Sequence, residues 1–418
     1  MKEFLFPYGK EKMSLSIDEK YLAGYLVSSI HNYKPELCGE ALVKEALANP
    51  VGSERLSELA RGKKNIVIIA SDHTRPVPSK VIMPAMLEEI RKTSPDADIT
   101  ILIATGCHRG TTKEELIGKF GEEIVKNEKI YIHDCDETDK LVNIGTLPSG
   151  GACEINSIAV NADLLVAEGF IEPHFFAGFS GGRKSVLPGI ASRKTVMANH
   201  CSEFIADKNA RTGILNNNPI HKDMLWAAKA AKLAFIVNVV LDADKNVIYA
   251  VAGDTEAAHK KGTDFLSELC GARAVEADIA ISTNGGYPLD QNVYQAVKGM
   301  TAAEATVKKG GVIIMLASSA DGTGGEHFYH QLADEADIKR TEALFLSRGR
   351  NESQILVRIL LHATVIYISD MPDEDIRKMH MIPSHSLSDA LDKAKEIIGR
   401  DDVKIAVIPD GVSVIVEK

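Results

Sequence analysis

“NIVIIASDHTRP”, residues 65–76, is an unbroken apolar run that ends in a charged and polar segment. A run rich in isoleucine and valine, without alternation, is typical of a strand buried on both faces of a parallel sheet. After a helix-like stretch, “DITILIATGCHRG” (98–110) repeats the pattern. Thr112 and Glu115 then form a capping box, which predicts the start of a helix. This alternation of strands and helices predicts an α/β protein.

The same rhythm of strand followed by loop continues in two series along the chain. The further segments are 129–136 and 162–174 in the first series, and 276–290, 311–325, 363–373 and 403–417 in the second. The sequence around Trp226 and at 254–271 is helical in pattern and connects the two series. We therefore predict two α/β domains with mainly parallel sheets, 1–265 and 266–418, with the active site in the cleft between them.

Composition disfavours several kinds of partner. The 418 residues carry a formal net charge of −10, which argues against binding nucleic acid or an anionic membrane through bulk charge. No apolar run approaches the length that spans a bilayer, and the first residues, with Glu3 in a very short apolar stretch, do not form a secretory signal. The six cysteines are dispersed without a CxxC pair, which indicates reduced thiols in the cytoplasm. We expect Cys107 to pack as a small hydrophobe rather than to act as a nucleophile.

Polar side chains follow the predicted strands in both series. Ligands of open parallel sheets bind beyond the carboxyl ends of the strands. The residues in such places are Asp72, Arg75, Thr105, His108, Glu172, His174 and 284–290. Arg75 is a candidate clamp for an organic acid, because arginine forms bidentate bonds with carboxylates. The alternative is a surface ion pair between Arg75 and Asp72.

The stretch “YPLDQNVYQAVKGM” (287–300), which follows a strand of the second series, predicts a helix whose first turns point at the cleft. Tyr294 and Lys298 are four residues apart and share one face of this helix, next to Gln295. Their pattern fits a binding helix and an ordinary amphipathic helix equally well.

The stretch “EPHFFAGFSGGRKSVLPGI” (172–190) is a glycine-rich loop with two cations. It is not a nucleotide-binding P-loop, because Arg183 separates the last glycine from Lys184. Its backbone N–H groups and Arg183 are candidates to bind a phosphate, and a tight turn with solvated cations is the alternative. Lys184 is open to three roles, namely phosphate contact, Schiff base or another covalent tether, besides solvation at the surface.

Three histidines, His108, His174 and His200, lie near predicted strand ends or just past the glycine loop. A single histidine in a loop is usually structural, but three together are candidates for acid/base catalysis or metal binding. Their wide separation in the sequence argues against a structural zinc site. His327 and His330 have the i,i+3 spacing of helical metal ligands, but no third ligand accompanies them.

Taken together, these motifs resemble the nickel-pincer lactate racemases and their 2-hydroxyacid racemase and epimerase relatives. The resemblance rests on “SDHTRP”, “ATGCHRG”, the 172–190 loop, “ANH” at 198–200 and “YPLDQNVYQAVKGM”. It extends from “PYGK” near the N-terminus to about residue 360 and covers both predicted domains.

The resemblance implies a role for each matched residue. Lys184 would bind, through a thioamide, a pincer cofactor of the pyridinium-3,5-bisthiocarboxylic-acid-mononucleotide type. His200 would complete the coordination of its nickel. His108 and His174 would be the acid/base pair, while the substrate carboxylate would be held by Arg75 and Lys298. The remaining matched residues would line the cofactor pocket and the substrate pocket. The cofactor pocket would contain Asp72, Ser180, Gly181, Gly182 and Arg183, and the substrate pocket would contain Tyr294 and Gln295.

The resemblance also implies an isomerase that moves a hydride reversibly from C2 of a 2-hydroxyacid. Other proteins would synthesise its cofactor and insert the nickel. The hydrogen on C2 is weakly acidic because the neighbouring carboxylate is already negative, whereas loss of hydride leaves a neutral ketone. A cofactor supplies this chemistry, which side chains lack. Two histidines are needed because each enantiomer presents its hydroxyl on a different side.

Substrate and reaction class have alternatives. Within “RGRNESQILVRIL” (348–360), Asn351 or a close neighbour stands where the lactate enzymes carry a tryptophan, and Arg348 and Arg350 are nearby. Lactate is the first expectation, and a polar pocket there would suit a malate racemase or an aldonate 2-epimerase. An NAD-dependent 2-hydroxyacid dehydrogenase would need GxGxxG after a strand, which this chain lacks. A non-catalytic sensor of organic acids would not need the lysine, the metal histidine and both acid/base histidines together.

Overall fold

The structure is a computed structural model that describes residues 1–341 and 352–417. The positions that bear on substrate size, Arg348, Arg350 and Asn351, lie outside the described residues. In chain order the strands are β1 (Lys2–Tyr8), β2 (Glu11–Ile17), β3 (Leu22–Tyr25), β4 (Asn65–Ser71), β5 (Asp98–Ala104), β6 (Lys129–Ile132), β7 (Leu141–Thr146), β8 (Ala152–Asn156), β9 (Leu164–Phe170), β10 (Pro173–His174), β11 (Gly178–Phe179), β12 (Leu233–Leu241), β13 (Val247–Gly253), β14 (Gly271–Arg273), β15 (Ala277–Thr283), β16 (Val307–Leu316), β17 (Thr364–Ile368), β18 (Ile382–Ser384), β19 (Ile405–Ile408) and β20 (Ile415–Glu417).

The helices of the described residues alternate with these strands. In chain order they are α1 (Gly39–Ala48), α2 (Leu56–Ala60), α3 (Ser79–Arg91), α4 (Lys113–Phe120), α5 (Glu122–Asn127), α6 (Ser157–Val160), α7 (Arg193–Asn199), α8 (Ser202–Ala206), α9 (Pro219–Ala230), α10 (Ala257–Cys270), α11 (Val293–Thr306), α12 (Glu326–Ala333), α13 (Glu352–His362), α14 (Asp373–Lys378) and α15 (Leu387–Ile398). Short 3₁₀ helices occur at Glu19–Tyr21, Ile30–Asn32, Thr138–Lys140 and Gly182–Ser185. Among the residues described, no helix is both long and apolar enough to cross a membrane.

The chain divides into two compact units. The N-terminal unit comprises Ile30–His200 and Asn209–Glu268, and the C-terminal unit comprises Met1–Ser29, Cys201–Lys208 and Leu269–Lys418. Each unit contains a six-stranded sheet in which nearly all neighbouring strands are parallel. The predicted α/β class with mainly parallel sheets is therefore confirmed.

The sheet of the N-terminal unit has the strand order β13-β12-β9-β4-β5-β6, in which only β12 and β13 are antiparallel. All of β9 is buried, as are the central residues of β4, which is why these strands read as unbroken apolar runs. β4 and β5 run in register from Asn65 and Asp98 to Ser71 and Ala104. Because the two strands end side by side, the loops that follow them start at the same edge of the sheet.

The capping box expected at the start of α4 is present. The backbone N–H of Glu115 donates to Thr112 Oγ1 at 3.3 Å, and the N–H of Thr112 donates to Glu115 Oε2 at 2.8 Å. Both N-terminal donors are thereby satisfied, which fixes where the helix begins after the loop that carries His108.

The sheet of the C-terminal unit has the order β18-β17-β16-β15-β19-β3, with every neighbouring pair parallel. β3 adds an edge strand next to β19, and Phe4 and Phe6 of the β1–β2 hairpin are buried in the core of this unit. Residues 1–29 therefore pack with the C-terminal unit, although the sequence placed them in a domain of residues 1–265. The chain passes from one unit to the other between Glu268 and Leu269, close to the expected position.

Candidate active site

Asp72 and His108 form a hydrogen-bonded pair beyond the ends of β4 and β5. His108 Nδ1 lies 2.8 Å from Asp72 Oδ2, and Thr74 Oγ1 donates to Oδ1 of the same carboxylate at 2.7 Å. The carboxylate is almost completely buried, with 2% of the side chain exposed, whereas the His108 side chain is 45% exposed. The pair thus places one ring nitrogen on a fixed anion and leaves the other side of the ring accessible.

The electrostatics of Asp72 keep it ionised. Burial alone would raise its pKa, but hydrogen bonds from His108 and Thr74, together with the charges of His108 and Arg75, bring the pKa below its usual value. An ionised carboxylate accepts only, so it fixes the proton of neutral His108 on Nδ1 and leaves the lone pair on Nε2. The sequence assigned Asp72 to the cofactor pocket, whereas its contacts in the structure hold His108.

The loop between β4 and α3 is supported from behind by Lys119. Its ammonium lies 3.3 Å from the carbonyl oxygen of Arg75 and 3.5 Å from that of Val77. Burial lowers the pKa of Lys119, while the charges of Glu168 and Asp72 act in the opposite direction. The side chain of Arg75 is exposed and forms no ion pair with Asp72 among the described contacts, so it is available to bind a substrate.

A cavity of about 590 Å³ adjoins His108 within the N-terminal unit. Its lining residues are 107–110, 132–137 and Arg193. Burial and the neighbouring thiol of Cys107 raise the pKa of Cys135 to about 12, so this thiol stays protonated at neutral pH. The role expected for Cys107, packing rather than nucleophilic catalysis, stays a prediction.

His174 is held by the turn of a small hairpin formed by β10 and β11. The backbone N–H groups of Ala177 and Phe176 point at His174 Nδ1, at 3.3 Å and 3.5 Å. The imidazole stacks on Phe175, with ring centroids 5.1 Å apart, and meets Phe176 edge-on at 4.5 Å. The turn therefore fixes both the position and the orientation of the ring.

Phe176 is the centre of the cluster that contains Lys184, His174 and His200. The Lys184 ammonium lies 5.8 Å from the centroid of the Phe176 ring, and the His200 ring meets the same ring edge-on at 5.2 Å. With its contact to His174, Phe176 touches all three residues, two of which come from the 172–190 loop and one from the “ANH” motif. Phe176 itself is 4% exposed and was not identified from the sequence, since one phenylalanine in a loop carries no signal.

His200 has the properties of a metal ligand. It ends helix α7, where its backbone N–H donates to the Val196 carbonyl at 2.8 Å, and its Nδ1 is buried with no hydrogen-bond partner among the described residues. Burial, and next the charge of Lys184, lower the pKa of His200 to about 3, so the imidazole is neutral. A neutral imidazole with an unbonded nitrogen is the form that coordinates a transition metal.

Arg183 is buried inside the glycine loop, with 1% of the residue exposed. Nη1 donates to the carbonyl of Phe179 at 2.8 Å, Nη2 donates to that of Ala177 at 2.8 Å, and Nε donates to His221 Nδ1 at 3.1 Å. Burial lowers the pKa of Arg183 to about 9, which still leaves it charged at neutral pH. Both expectations for Arg183, a phosphate contact or a solvated cation, are therefore corrected, because the fold uses its donors to bind the loop itself.

The glycines of the loop are required by the space around them. Gly181 has φ +78°, and a Cβ there would lie 2.7 Å from Asn238 Oδ1. A Cβ on Gly182, at φ +51°, would lie 2.8 Å from His259 Cδ2. The Gly182 N–H donates to Asn238 Oδ1 at 2.8 Å, and the Ser180 hydroxyl donates to the carbonyl of Phe170, the last residue of β9, at 3.0 Å. Contact of Ser180, Gly181 and Gly182 with a cofactor stays a prediction.

Three predicted substrate residues lie on α11 of the C-terminal unit. Asn292 caps this helix by accepting from the Gln295 N–H at 3.0 Å, and Tyr294 packs edge-on against Phe328 with centroids 5.5 Å apart. Tyr294, Gln295 and Lys298 are half-buried, whereas their helical neighbours are mostly buried. The predicted shared face is present.

The remaining histidine pair lies on the surface helix α12. His330 Nδ1 is 3.1 Å from Asp334 Oδ1, and His327 Nε2 is 2.9 Å from Gln331 Nε2. Each histidine thus contacts its own helix, at the i+4 position.

Several supporting residues were not identified from the sequence. His221 and His259 lie on helices whose patterns gave no reason to single them out. Asn238 did carry a signal, because it is the one polar residue in the apolar stretch 235–241, where an unpaired amide would be costly.

The fold and these two side-chain clusters define an α/β enzyme with a histidine–carboxylate pair at a strand edge and a second cluster in which a half-buried lysine and a buried histidine contact the same phenylalanine. Residues 8–213 match the family model described as lactate racemase N-terminal domain, and residues 272–416 match that described as lactate racemase C-terminal domain. The chain therefore belongs to the lactate racemase family. Racemases are isomerases, so the predicted enzyme class is confirmed.

Individual relatives agree with this membership. The chain is 54% identical to the lactate racemase of Thermoanaerobacterium thermosaccharolyticum over the full length of both chains. It is 56% identical to that of Lactiplantibacillus plantarum, over 98% of this chain and 99% of the relative. The solved lactate racemase apoprotein of T. thermosaccharolyticum superimposes with a TM-score of 0.94 and full coverage of both chains. A Thermotoga maritima protein, 20% identical over 91% of this chain and 98% of its own, shares the fold with a TM-score of 0.64.

Proposed function

We propose that the protein is a nickel-dependent lactate racemase that interconverts the two enantiomers of lactate by reversible hydride transfer at C2. The observation that carries the proposal is the cluster around Phe176, which joins a lysine, a neutral histidine with an unbonded nitrogen, and a second histidine. Two relatives that are 54% and 56% identical over nearly their whole length are named lactate racemases, which favours lactate as the substrate.

The residues of this cluster fit a pincer cofactor of the pyridinium-3,5-bisthiocarboxylic-acid-mononucleotide type. Lys184 would be its covalent tether, and His200 would be a protein ligand of its nickel, because desolvation keeps the imidazole neutral. When bound, the cofactor supplies an acceptor for the hydride that leaves C2. The backbone of Ser180, Gly181 and Gly182 would line the site beside the tether.

His108 would move the hydroxyl proton for one enantiomer. Asp72 fixes the neutral ring with its proton on Nδ1, so Nε2 has the lone pair that accepts the proton as the hydroxyl becomes a carbonyl. The buried carboxylate also stabilises the imidazolium that forms. The bond to Thr74 holds the carboxylate in place during this transfer.

His174 would serve the opposite enantiomer. A planar ketone accepts hydride on either face, and the hydroxyl of the product then points to the other side. A second titratable ring is therefore needed, and the hairpin turn holds His174 in a fixed orientation. The two histidines are held by different means, one by a carboxylate and one by backbone amides.

The substrate carboxylate would be held by Arg75 and Lys298, with Tyr294 and Gln295 lining the remaining pocket. Arg75 is exposed at the strand edge that carries His108, and its carbonyl is bound from behind by Lys119. A cation on the carboxylate orients C2 and the hydroxyl, and orientation of this kind supplies a large part of an enzyme's rate. A larger or more polar acid, malate or an aldonate, is the second candidate substrate, since Asn351 is polar.

The working protein would depend on other proteins and on a reducing compartment. Enzymes that synthesise the cofactor and insert nickel are the proposed partners. We place the protein in the cytoplasm because its six cysteines are free thiols, the form that thiols keep in reducing surroundings.

The test is to produce the chain with and without the cofactor-synthesis enzymes. We expect a covalent mass increase at Lys184 together with bound nickel only in the first sample, and optical inversion of lactate faster than that of malate or gluconate. Lys184→Ala should lose the adduct and the activity. Full activity of Lys184→Ala after production with the cofactor-synthesis enzymes would contradict the role of Lys184 as tether. Faster inversion of malate or gluconate than of lactate would show that lactate is not the preferred substrate.

A further inference from the structure

Arg183 connects two parts of the candidate site through one turn of the hairpin. Its Nη2 donates to the Ala177 carbonyl at 2.8 Å, and the N–H of Ala177 points at His174 Nδ1. The same guanidinium donates to the Phe179 carbonyl and immediately precedes Lys184 in the 3₁₀ helix Gly182–Ser185. The side chain thus ties the turn that holds one functional residue to the segment that carries another.

The guanidinium has no counter-ion among the described residues. All its contacts are with backbone carbonyls of residues 177, 179, 180 and 181 and with nitrogen atoms of His221 and His259. A buried charge without a partner is costly, and a fold keeps it only where its hydrogen bonds are fully used. A neutral side chain of similar length could fill this space at lower cost, which points to a need for the donors that bind the carbonyls of residues 177 and 179.

We propose that Arg183 is a positioning residue that holds His174 and Lys184 in their working places by closing residues 177–184 on themselves. This inference rests on the proposed function. His174 depends on it because its two amide contacts, at 3.3 Å and 3.5 Å, are long for hydrogen bonds, so a small shift of Ala177 would break the contact that this residue makes with Nδ1. Lys184 depends on it because successive side chains of a 3₁₀ turn point in different directions. Burial of the Arg183 side chain therefore directs the Lys184 side chain to another side of the turn.

The proposal has a consequence that can be measured without any cofactor. Amide N–H groups that donate to Nδ1 require that neutral His174 carry its proton on Nε2. His108 has the opposite arrangement, with the proton on Nδ1 and Asp72 as acceptor. The two candidate acid/base histidines are therefore opposite tautomers when both are neutral.

The first experiment reads the tautomer of His174 in the protein produced without cofactor. Histidine is labelled with ¹⁵N, long-range proton–nitrogen spectra distinguish the two tautomers, and His174→Gln assigns the signal. We expect the Nε2–H form in the wild type and a mixture of forms in Arg183→Met. Arg91→Met is the matched control, since Arg91 is paired with Glu128 away from this loop. An Nδ1–H form in the wild type would overturn the proposal even if Arg183→Met failed to fold.

The second experiment measures loading of Lys184 by intact mass after production with the cofactor-synthesis enzymes. Arg183→Met and Arg183→Lys should both show a lower fraction of adduct, and turnover of the loaded fraction should fall about 100-fold, the size of effect that a shift of about 1 Å produces. Arg183→Lys keeps the charge but has fewer donors, so a loss in this variant separates geometry from charge.

The outcomes are distinguishable from those of the proposed function. Arg183→Met that melts near the wild-type temperature, loads fully and keeps the His174 tautomer would overturn the positioning role. A wild-type protein that never acquires an adduct would overturn the proposed function, while the tautomer measurement would still decide the role of Arg183.

Discussion

Replacement of Asp72 by asparagine separates two roles for this residue, support of His108 and contact with a cofactor. The carboxylate is 2% exposed and accepts from His108 Nδ1 at 2.8 Å and from Thr74 Oγ1 at 2.7 Å. An amide has one donor end and one acceptor end, so it cannot accept from both partners as the carboxylate does. If its NH₂ faces the ring, the proton of neutral His108 moves to Nε2, and the base is lost.

The magnitude follows from the lost bond. A hydrogen bond to a buried charged group contributes about 1.5–3 kcal/mol, and each 1.36 kcal/mol of barrier is about tenfold in rate. Asp72→Asn should therefore lower the rate of lactate racemisation by about 13- to 160-fold, at the upper end if the tautomer also changes. The assay is optical inversion of each lactate enantiomer by enzyme loaded to a known degree, with the adduct measured by intact mass.

The control is Asp163→Asn, because Asp163 accepts from backbone N–H groups of Lys64 and Asn65 at the other end of β4. It should leave the rate unchanged. Full racemisation by Asp72→Asn would refute the reasoning that Asp72 orients His108. Loss of the covalent adduct with unchanged turnover of the loaded fraction would instead support the cofactor contact expected from the sequence.

Three further substitutions test the supports of the site. Glu168→Gln should stabilise the protein at neutral pH, because burial raises the pKa of Glu168. Between the ordinary and the raised pKa, the native state binds more protons than the unfolded chain, so the stability of the wild type falls as pH rises through that window. Thermal melts at several pH values should show this fall in the wild type and not in the variant. Gly181→Ala should cost about 1–3 kcal/mol in urea unfolding because its Cβ would meet Asn238, whereas Gly62→Ala, at a similar φ with no atom nearby, should cost less. Phe176→Leu should lower nickel retention on dialysis while costing about 1.5 kcal/mol or less in stability. Unchanged retention would show that the Phe176 ring does not support nickel binding.

Much of the fold could be predicted from local pattern. The strands that became β4, β5 and β9 are buried on both faces, so their apolar runs are unbroken and easily recognised. The assignment of residues 1–29 to the N-terminal domain was wrong, because the edge strand β3 pairs with β19, which is almost the whole chain away in sequence. Local pattern holds no information about a pairing of that kind.

The candidate site was predictable in its residue types but not in its contacts. Sequence motifs identified Lys184, His200 and His174, and the structure groups them around Phe176. The direction of Arg183 could not be predicted, since an arginine next to a lysine in a glycine loop is usually solvated. Only the packed loop, with its carbonyls turned inward, makes burial of a guanidinium favourable.

The two acid/base candidates differ in what holds them, and this difference has a physical consequence. His108 is oriented by a charge, the Asp72 carboxylate, whose pKa lies below its usual value, so the support persists until the solution is strongly acidic. His174 is oriented by uncharged amides, whose positions depend on the packing of the hairpin turn and on Arg183. The orientation of His108 is thus sensitive to protonation of its partner, and that of His174 to small displacements of the backbone. Because the two supports share no residue, their disruptions should act independently, which is the arrangement that a reaction with two separate proton positions requires.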